Sequence, residues 1–195
     1  MVQNILKNHK IILASGSPRR HQFFKELQLD FEVRLKSVEE VYPEHLVGGE
    51  ISDYLAELKA AAFEGSLSQN EILVTSDTVV WHNNESLAKP IDKDDAYTML
   101  RKLSNAKHEV ITSVSFTTLK TQSTINYSTQ VSFKELTDDE IWFYIDNYQP
   151  FDKAGAYGIQ DWLGLIAINE IKGSYTNVMG LPTHLVYKTL IDMVN

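Results

Sequence analysis

The sequence contains no cysteine among its 195 residues. This absence excludes disulfide bonds, thiolate metal sites and cysteine nucleophiles, and it is compatible with a reducing compartment. The N-terminal stretch "MVQNILKNHKIILASGS" has an apolar run that is too short for the core of a signal peptide. No segment approaches the ~20 apolar residues that a transmembrane helix requires. We therefore expect a cytoplasmic protein that does not enter a membrane.

Positive charge is also scarce. The chain has 18 lysines and arginines against 26 aspartates and glutamates, which gives a formal net charge of −8. Binding to nucleic acid or to an anionic membrane requires clustered basic residues, so this balance disfavours both partners. The six histidines show no HExxH or other metal-ligand spacing, and the sequence has no Gly-x-Ser-x-Gly nucleophile elbow. Any anion site must therefore be local, formed by a few converging basic side chains.

Length and patterning predict one α/β domain over residues 1–195. Strand-like and helix-like segments alternate, and two long alternating segments form an inserted antiparallel hairpin, so we expect a mixed sheet with helices on its faces. The predicted strands are "KIILAS", "FEVRLKS", "EILVTSDTVVW", the hairpin pair "HEVITSVSFTTLK" and "QSTINYSTQVSFKE", and "WLGLIAINEI". The predicted helices are "RRHQFFKELQL", "SDYLAELKAAAFEG", "DKDDAYTMLRKLS", "TDDEIWFYIDNY" with a Thr-x-x-Glu capping box, and "PTHLVYKTLIDMV".

The segment "LASGSPRR", residues 13–20, places two arginines in the first turn of a predicted helix. Ser17 is the predicted N-cap and Pro18 the first helical residue. The helix dipole disfavours cations at this end, by a few tenths to about 1 kcal/mol each. A bound phosphate would reverse that cost, because helix N–H groups, serine hydroxyls and arginine all donate to phosphate. The alternative is that Ser17 is only a cap and both arginines are solvated. The segment lacks the Gly-Lys-Ser/Thr ending of a P-loop.

Asp77 interrupts the β-branched run "VTSDTVV", where aspartate is depleted. The carboxylate either lies at a strand end that faces solvent or belongs to a functional site. For a lone aspartate the first interpretation is the more common one, and the basic residue Lys89 across the predicted turn weakens it.

Two later segments are rich in small residues. In "DKAGAYGIQ", residues 152–160, small residues let the backbone approach a ligand, while Lys153 and Gln160 offer a cation and an amide. The alternative is a tight surface loop. The segment "GSYTNVMGLP", residues 173–182, indicates an ordered loop before a helix.

In this order, these segments resemble the Maf family of nucleoside triphosphate pyrophosphatases. The resemblance runs from "IILASGSPRR" through "SDTVV…LAKP", "AYTMLRKLS", "HEVITSV" and "DKAGAYGIQ" to "GSYTNVMGLP", nearly the whole chain. "DKAGAYGIQ" is similar to the subgroup that acts on dTTP and UTP, whereas the 7-methyl-GTP subgroup carries a different sequence there. Departures from the family pattern occur at Ala88, Ser113 and residues 104–106, none of them a proposed catalytic position.

The resemblance implies hydrolysis between the α and β phosphates, which gives a nucleoside monophosphate and pyrophosphate, with Mg or Mn as a divalent metal cofactor. It implies a mixed α/β fold in which a long curved sheet, flanked by helices, and two lobes enclose a central groove. Homodimers are common in the family.

The resemblance also implies roles for individual residues. Asp77 matches the proton acceptor that activates the attacking water, and it forms the catalytic set with Glu40 and Lys89. Asp77 and Glu40 match the metal ligands, with Glu40 in a position that helps bind metal or water. The remaining positions match substrate contacts: Ser17, Arg20, Lys59 and Lys89 for the triphosphate, Arg19, Thr78 and Gln160 for base specificity, and Lys153 in the loop that faces the nucleotide.

Three functions remain open from the sequence. The first is a dTTP/UTP pyrophosphatase, and the second is a pyrophosphatase for 7-methyl-GTP or another modified nucleotide. The third is a non-catalytic nucleotide sensor, because the family's name comes from an association with septum formation in bacteria. Asp77 favours an enzyme, since a binding protein would need the cations but no general base.

Overall fold

The computed structural model describes residues 6–194, and the chain divides into two compact units. Unit 1 comprises Met1–Asp77, Thr112–Tyr127 and Gly180–Asn195, and unit 2 comprises Thr78–Ile111 and Ser128–Met179. Residues 1–5, which open the stretch predicted not to be a signal peptide, lie outside the described residues, as does residue 195. Within residues 6–194, no helix has the length and apolar character needed to cross a membrane.

Strands and helices alternate along the chain, as the sequence predicts. In order they are β1 (Lys10–Leu13), α1 (Pro18–Glu26), β2 (Phe31–Val33), α2 (Gly49–Ala61), β3 (Glu71–His82), β4 (Glu85–Leu87), α3 (Lys93–Leu103), β5 (Lys107–Thr117), β6 (Gln122–Phe133), α4 (Asp138–Tyr148), a short 3₁₀ turn (Ala154–Ala156), α5 (Trp162–Ala167), β7 (Ile168–Lys172), α6 (Tyr175–Val178) and α7 (Thr183–Asp192).

The strands form a mixed seven-stranded sheet in the order β2-β1-β3-β5-β6-β7, with β4 paired to β3. Strand β1 is parallel to both β2 and β3, whereas β4 and β7 are antiparallel to β3 and β6. Residues 118–121 alone join the neighbouring strands β5 and β6, which a parallel connection could not do. The predicted mixed sheet and its hairpin are therefore confirmed.

Unit 1 contains the parallel part of the sheet. Helix α1 connects β1 to β2 on one side of β1, and the chain then returns through α2 to β3 on the other side. In open α/β sheets this reversal of strand order marks the crevice where ligands bind, outside the carboxyl ends of the strands. The last β1–β3 pair is Leu13 with Val74, so β3 continues past the end of β1 through Ser76 and Asp77. The polar residues that follow β1 and those in this later part of β3 therefore lie at the same edge of the sheet.

Unit 2 is built around an aromatic and aliphatic core. The β3–β4 hairpin turns through Asn83 and Asn84, which both adopt positive φ, as a two-residue type I′ turn requires. Helix α4 begins at the predicted capping box, in which Thr137 and Glu140 each accept the other's backbone N–H. Its Tyr144 is fully buried. These local signals fix where the helix begins and which face enters the core.

The predicted strand "WLGLIAINEI" is wrong over its first six residues, since Trp162–Ala167 is helical and only Ile168–Lys172 forms a strand. A short apolar run gives the same pattern for a buried strand as for a short buried helix. Helical spacing buries Leu163 and Ala167 on one face and leaves Leu165 82% exposed. The segment "FEVRLKS" also forms a shorter strand than predicted, Phe31–Val33.

An ion pair between the buried Glu71, at the start of β3, and the half-buried Arg34 predicts a pH-dependent stability. Glu71 accepts hydrogen bonds from Arg34 Nη1 at 3.0 Å and Nη2 at 2.5 Å, and also from the Ser68 N–H at 2.9 Å. The Arg34 guanidinium lowers the pKa of Glu71 below its ordinary value. The pair therefore stabilises the fold above the unfolded-state pKa, and this contribution disappears as pH falls through the lowered folded-state value.

We expect Glu71→Gln to lower the free energy of unfolding at pH 7 by about 1 to 3 kcal/mol. The difference from the wild type should vanish as pH falls through the lowered pKa of Glu71, and urea denaturation at pH 7, 5 and 3 measures it. Glu64→Gln is the control, because Glu64 is exposed and should change stability little at any pH. An equal loss at all three pH values would contradict the ion-pair explanation.

Candidate active site

The loop between β1 and α1 presents hydroxyls and backbone donors at the carboxyl edge of the sheet. Ser17 caps α1, accepting the Arg20 N–H at 3.5 Å, and its own N–H donates to Ser15 Oγ at 3.2 Å. Pro18 occupies the first helical position, as predicted, and the first turn contains no acid. His21 Nε2 lies 2.5 Å from the Ser15 carbonyl. The cap and helix start are therefore confirmed, with no acidic side chain to offset the positive end of α1.

Arg20 is held by carbonyl groups from distant parts of the chain. Its Nε donates to the Gly180 carbonyl at 2.8 Å, and its Nη1 donates to the Ser76 carbonyl at 2.8 Å and to Ser15 Oγ at 3.5 Å. Burial lowers the pKa of the Arg20 guanidinium, and the nearby Asp77 carboxylate opposes that shift. The alternative of a merely solvated arginine is therefore wrong for Arg20. Its guanidinium fixes the backbone next to Asp77.

Asp77 shares one ammonium group with a second carboxylate. Lys59, in the last turn of α2, places its Nζ 2.5 Å from Asp77 Oδ1 and 2.9 Å from Glu40 Oε1. Asp77 is 7% exposed, so the alternative of a solvent-facing strand end is wrong. The ammonium lies between two like charges and offsets their repulsion. Two carboxylates and a lysine thus converge beside Arg20 and the groups that it contacts.

The donor set at this point suits a hard divalent cation. Asp77 and Glu40 offer carboxylate oxygens, which Mg²⁺ and Mn²⁺ prefer. Among residues 6–194, no group of three or more histidine, aspartate or glutamate side chains is arranged to hold a metal. Mg²⁺ commonly uses one or two protein carboxylates and completes its coordination with water and substrate phosphates. The residues therefore fit a metal that arrives with a polyphosphate.

Three further predicted residues, Lys89, Lys153 and Gln160, lie in unit 2 on two loops that contact each other. Lys89 is exposed in the loop after β4. The Gly155 N–H donates to the Ala88 carbonyl at 3.1 Å, which joins that loop to residues 152–160. Residues 155–159 are buried, so the alternative of a tight surface loop is wrong there. Lys153 is also largely covered, with 12% of its side chain exposed, and it contacts Asp152 at 2.6 Å.

Two residues that the sequence did not single out hold this loop in place. Tyr144 Oη accepts the Gly158 N–H at 3.0 Å and donates to Asp161 Oδ2 at 2.7 Å. Asp161 Oδ1 accepts from Gln160 Nε2 at 3.1 Å, and Asp161 Oδ2 lies 3.8 Å from Lys153 Nζ. A Cβ on Gly158 would lie 2.5 Å from Asp161 Oδ2, so a larger residue there would displace the Asp161 side chain. Asp161 could have been found from the sequence as an aspartate that precedes a helix. The prediction of a strand over residues 162–167 hid that position.

The predicted site residues form one group in each unit. In unit 1, Ser17, Arg20, Glu40, Lys59 and Asp77 belong to one connected cluster, and Arg19, half-buried, is the neighbour of Arg20 in α1. In unit 2, Lys89, Lys153 and Gln160 belong to the joined loops, and Thr78 is half-buried in β3. The geometry places these residues, and the role of each stays a prediction.

Comparison with known proteins gives a consistent result. The family profile described as "Maf-like protein" matches residues 10–193. A dTTP/UTP pyrophosphatase of Flavobacterium johnsoniae is 59% identical over 194 residues, 100% of each chain, and one of Flavobacterium psychrophilum is 62% identical over 192 residues, 98% of each chain. The Ham1 protein structure of Staphylococcus aureus is 15% identical, covers 92% of this chain and 99% of its own, and has a TM-score of 0.51. That structural likeness bears on the fold alone.

Proposed function

The chain belongs to the Maf family, and from this premise we propose that it is a nucleoside triphosphate pyrophosphatase acting on dTTP and UTP. The proposed reaction is hydrolysis between the α and β phosphates, which releases the nucleoside monophosphate and pyrophosphate. The observation that carries the proposal is the cluster of Asp77, Lys59 and Glu40. It lies at the edge of the sheet where Arg20 donates to the Ser76 carbonyl. This is a general base among cations, as anhydride hydrolysis requires.

In this mechanism Asp77 accepts a proton from the attacking water. Its Oδ1 is occupied by the Lys59 ammonium at 2.5 Å, which orients the carboxylate. The bond between Arg20 Nη1 and the Ser76 carbonyl fixes the adjoining backbone. Because Lys59 holds the carboxylate and Arg20 holds the adjoining backbone, the base needs little reorganisation when the water approaches.

The triphosphate binds to groups that already face the same edge. The N-terminal turn of α1 offers backbone N–H groups, Ser17 a hydroxyl, and Arg20 and Lys59 positive charge, all of which stabilise phosphate oxygens. In the proposal Lys89 adds a further cation. Phosphoryl transfer depends mainly on such positioning and charge neutralisation, with little covalent help from the protein.

Asp77 and Glu40 would hold a divalent metal together with the substrate. When bound, Mg²⁺ or Mn²⁺ supplies charge neutralisation at the phosphates and lowers the pKa of coordinated water. Lys59 contacts one oxygen of each carboxylate, and the second oxygen of each would serve as the metal ligand.

Base recognition is assigned to Arg19, Thr78 and Gln160, with Lys153 beside the nucleotide. Gln160 is exposed at the end of the 152–160 loop, and its amide can both donate and accept a hydrogen bond. An amide of this kind matches the alternating donor and acceptor groups on the edge of a pyrimidine. A cytoplasmic location and a homodimeric state complete the proposal, and light scattering on the purified protein tests the second.

The test is pyrophosphate release from a panel of nucleoside triphosphates, with and without Mg²⁺ or Mn²⁺. We expect metal-dependent turnover of dTTP and UTP, with slower turnover of CTP, GTP, ATP and 7-methyl-GTP. Preferred turnover of 7-methyl-GTP would instead support the second function that the sequence left open. Tight nucleotide binding without any turnover would overturn the proposal and make the protein a sensor.

A further inference from the structure

A chain of hydrogen bonds in unit 2 has only one consistent direction. The Gly158 N–H can only donate, so Tyr144 Oη accepts it and must direct its own proton to Asp161 Oδ2. The Asp161 carboxylate can only accept, so Gln160 turns its Nε2 toward Asp161 Oδ1. The orientation of the Gln160 amide thus follows from the Asp161 carboxylate, which the Tyr144 hydroxyl holds in place.

From this geometry we infer that Asp161, oriented by Tyr144, determines which pyrimidine the protein accepts, because it sets which end of the Gln160 amide faces the base. The inference rests on the proposed function, in which Gln160 contacts the base. Asp161 is a positioning residue, since it acts through Gln160 and not on the substrate itself.

The two classes of pyrimidine differ in the group at N3. Uracil and thymine carry an N3–H donor next to a C4 carbonyl, whereas cytosine carries an N3 acceptor next to an amino group. With Nε2 held by Asp161, the Gln160 carbonyl oxygen is the group left to accept N3–H, and it meets only a lone pair on cytosine. A reversed amide would present Nε2 to cytosine N3. Asp161 therefore favours uracil and thymine over cytosine.

Local structure supports an assignment of Asp161 to this task. It stands at the N-cap of α5, where aspartate normally accepts a helix N–H, yet its side chain makes no capping hydrogen bond. Its two oxygens are used instead by Tyr144 and Gln160, with the Lys153 ammonium on the Tyr144 side. Because the Asp161 carboxylate does not cap α5, its hydrogen bonds stabilise the loop rather than the helix.

Asp161→Asn tests the inference because it converts one acceptor oxygen into a donor. Tyr144 and Lys153 both lie at Oδ2, so the oxygen of the introduced amide stays on their side and its NH₂ group faces Gln160. The Gln160 amide must then reverse. We expect the ratio of kcat/KM for UTP to that for CTP to fall about tenfold or more. Equilibrium binding of UMP and CMP should shift in the same direction.

Two tyrosine variants separate positioning from general destabilisation. Tyr144→Phe keeps the carboxylate, so it should raise KM for both nucleotides and leave the UTP-to-CTP ratio unchanged. Tyr157→Phe removes another buried hydroxyl of the same loop, 2.7 Å from His108 Nε2, and should alter stability alone. Asp161→Ala, which leaves Gln160 free to turn, should bring the ratio toward one and serves if Asp161→Asn does not fold.

The outcomes distinguish this inference from the proposed function. Wild-type turnover of UTP together with an unchanged UTP-to-CTP ratio in Asp161→Asn and Asp161→Ala overturns the role of Asp161 alone. A wild type that neither cleaves UTP nor prefers UMP to CMP overturns the proposed function, and the role of Asp161 falls with it.

Discussion

Asp77→Asn should lower kcat about 10²- to 10⁴-fold, the usual contribution of a positioned general base. Asparagine keeps the shape of the side chain and still accepts from Lys59 Nζ, but it cannot take a proton from water. The triphosphate contacts assigned to Ser17 and Arg20 are untouched. We therefore expect nucleotide binding to persist while turnover is lost, with single-turnover kinetics and equilibrium binding as the measurements.

The same substitution also removes a proposed metal ligand, so the metal concentration must be varied. Loss of the base predicts a low rate at every Mg²⁺ concentration, whereas loss of a ligand alone predicts recovery when Mg²⁺ is raised. Asp30→Asn is the matched control, since Asp30 is exposed and the same charge is removed from unit 1. Turnover near the wild-type rate in Asp77→Asn would show that another group is the base.

Local signals predicted the elements that surround the site. Ser17 and Pro18 mark the start of α1 because a cap and a preset φ act within one turn of the chain. The capping box at residues 137–140 works in the same way. Asp77 was identifiable because a carboxylate inside a β-branched run conflicts with its surroundings, and such conflicts concentrate at functional sites.

The partners of these residues could not be predicted, because they come from distant segments. Arg20 was predicted to hold phosphate, but its bonds to the carbonyls of Ser76 and Gly180 depend on the tertiary fold. Every residue has a backbone carbonyl, so the sequence does not indicate which carbonyl groups will accept these bonds. The pairing of Lys59 with both Asp77 and Glu40 likewise requires α2 to pack beside β3.

The error in α5 had a consequence for the site. Reading residues 162–167 as a strand placed Asp161 in an ordinary connection and hid its position at a helix start. Tyr144, in turn, reads as a core aromatic, because helical spacing buries it and says nothing of its hydroxyl. Residues that orient other residues are hard to find from a sequence, because their role depends on contacts that only the folded structure shows.

The second large effect concerns Arg20, for which Arg20→Lys should cost both stability and catalysis. Lysine keeps the positive charge, but one ammonium cannot reproduce the planar fork that reaches the Gly180 and Ser76 carbonyls together. A buried carbonyl left without a donor costs about 1 to 3 kcal/mol. We expect the free energy of unfolding to fall by about that amount in urea denaturation.

The catalytic loss should be larger than this destabilisation explains. Arg20 holds the backbone beside Asp77 and supplies charge to the phosphates, and removing one such preorganised donor costs about 10²- to 10³-fold in kcat. Arg101→Lys is the control, because Arg101 Nη1 donates to the Leu136 carbonyl at 2.6 Å in unit 2. It should lower stability and leave kcat/KM for dTTP near the wild-type value. Equal kinetic losses in both variants would mean that Arg20 serves the fold alone, and that its place at the start of α1 is explained by carbonyl acceptors rather than by a bound phosphate.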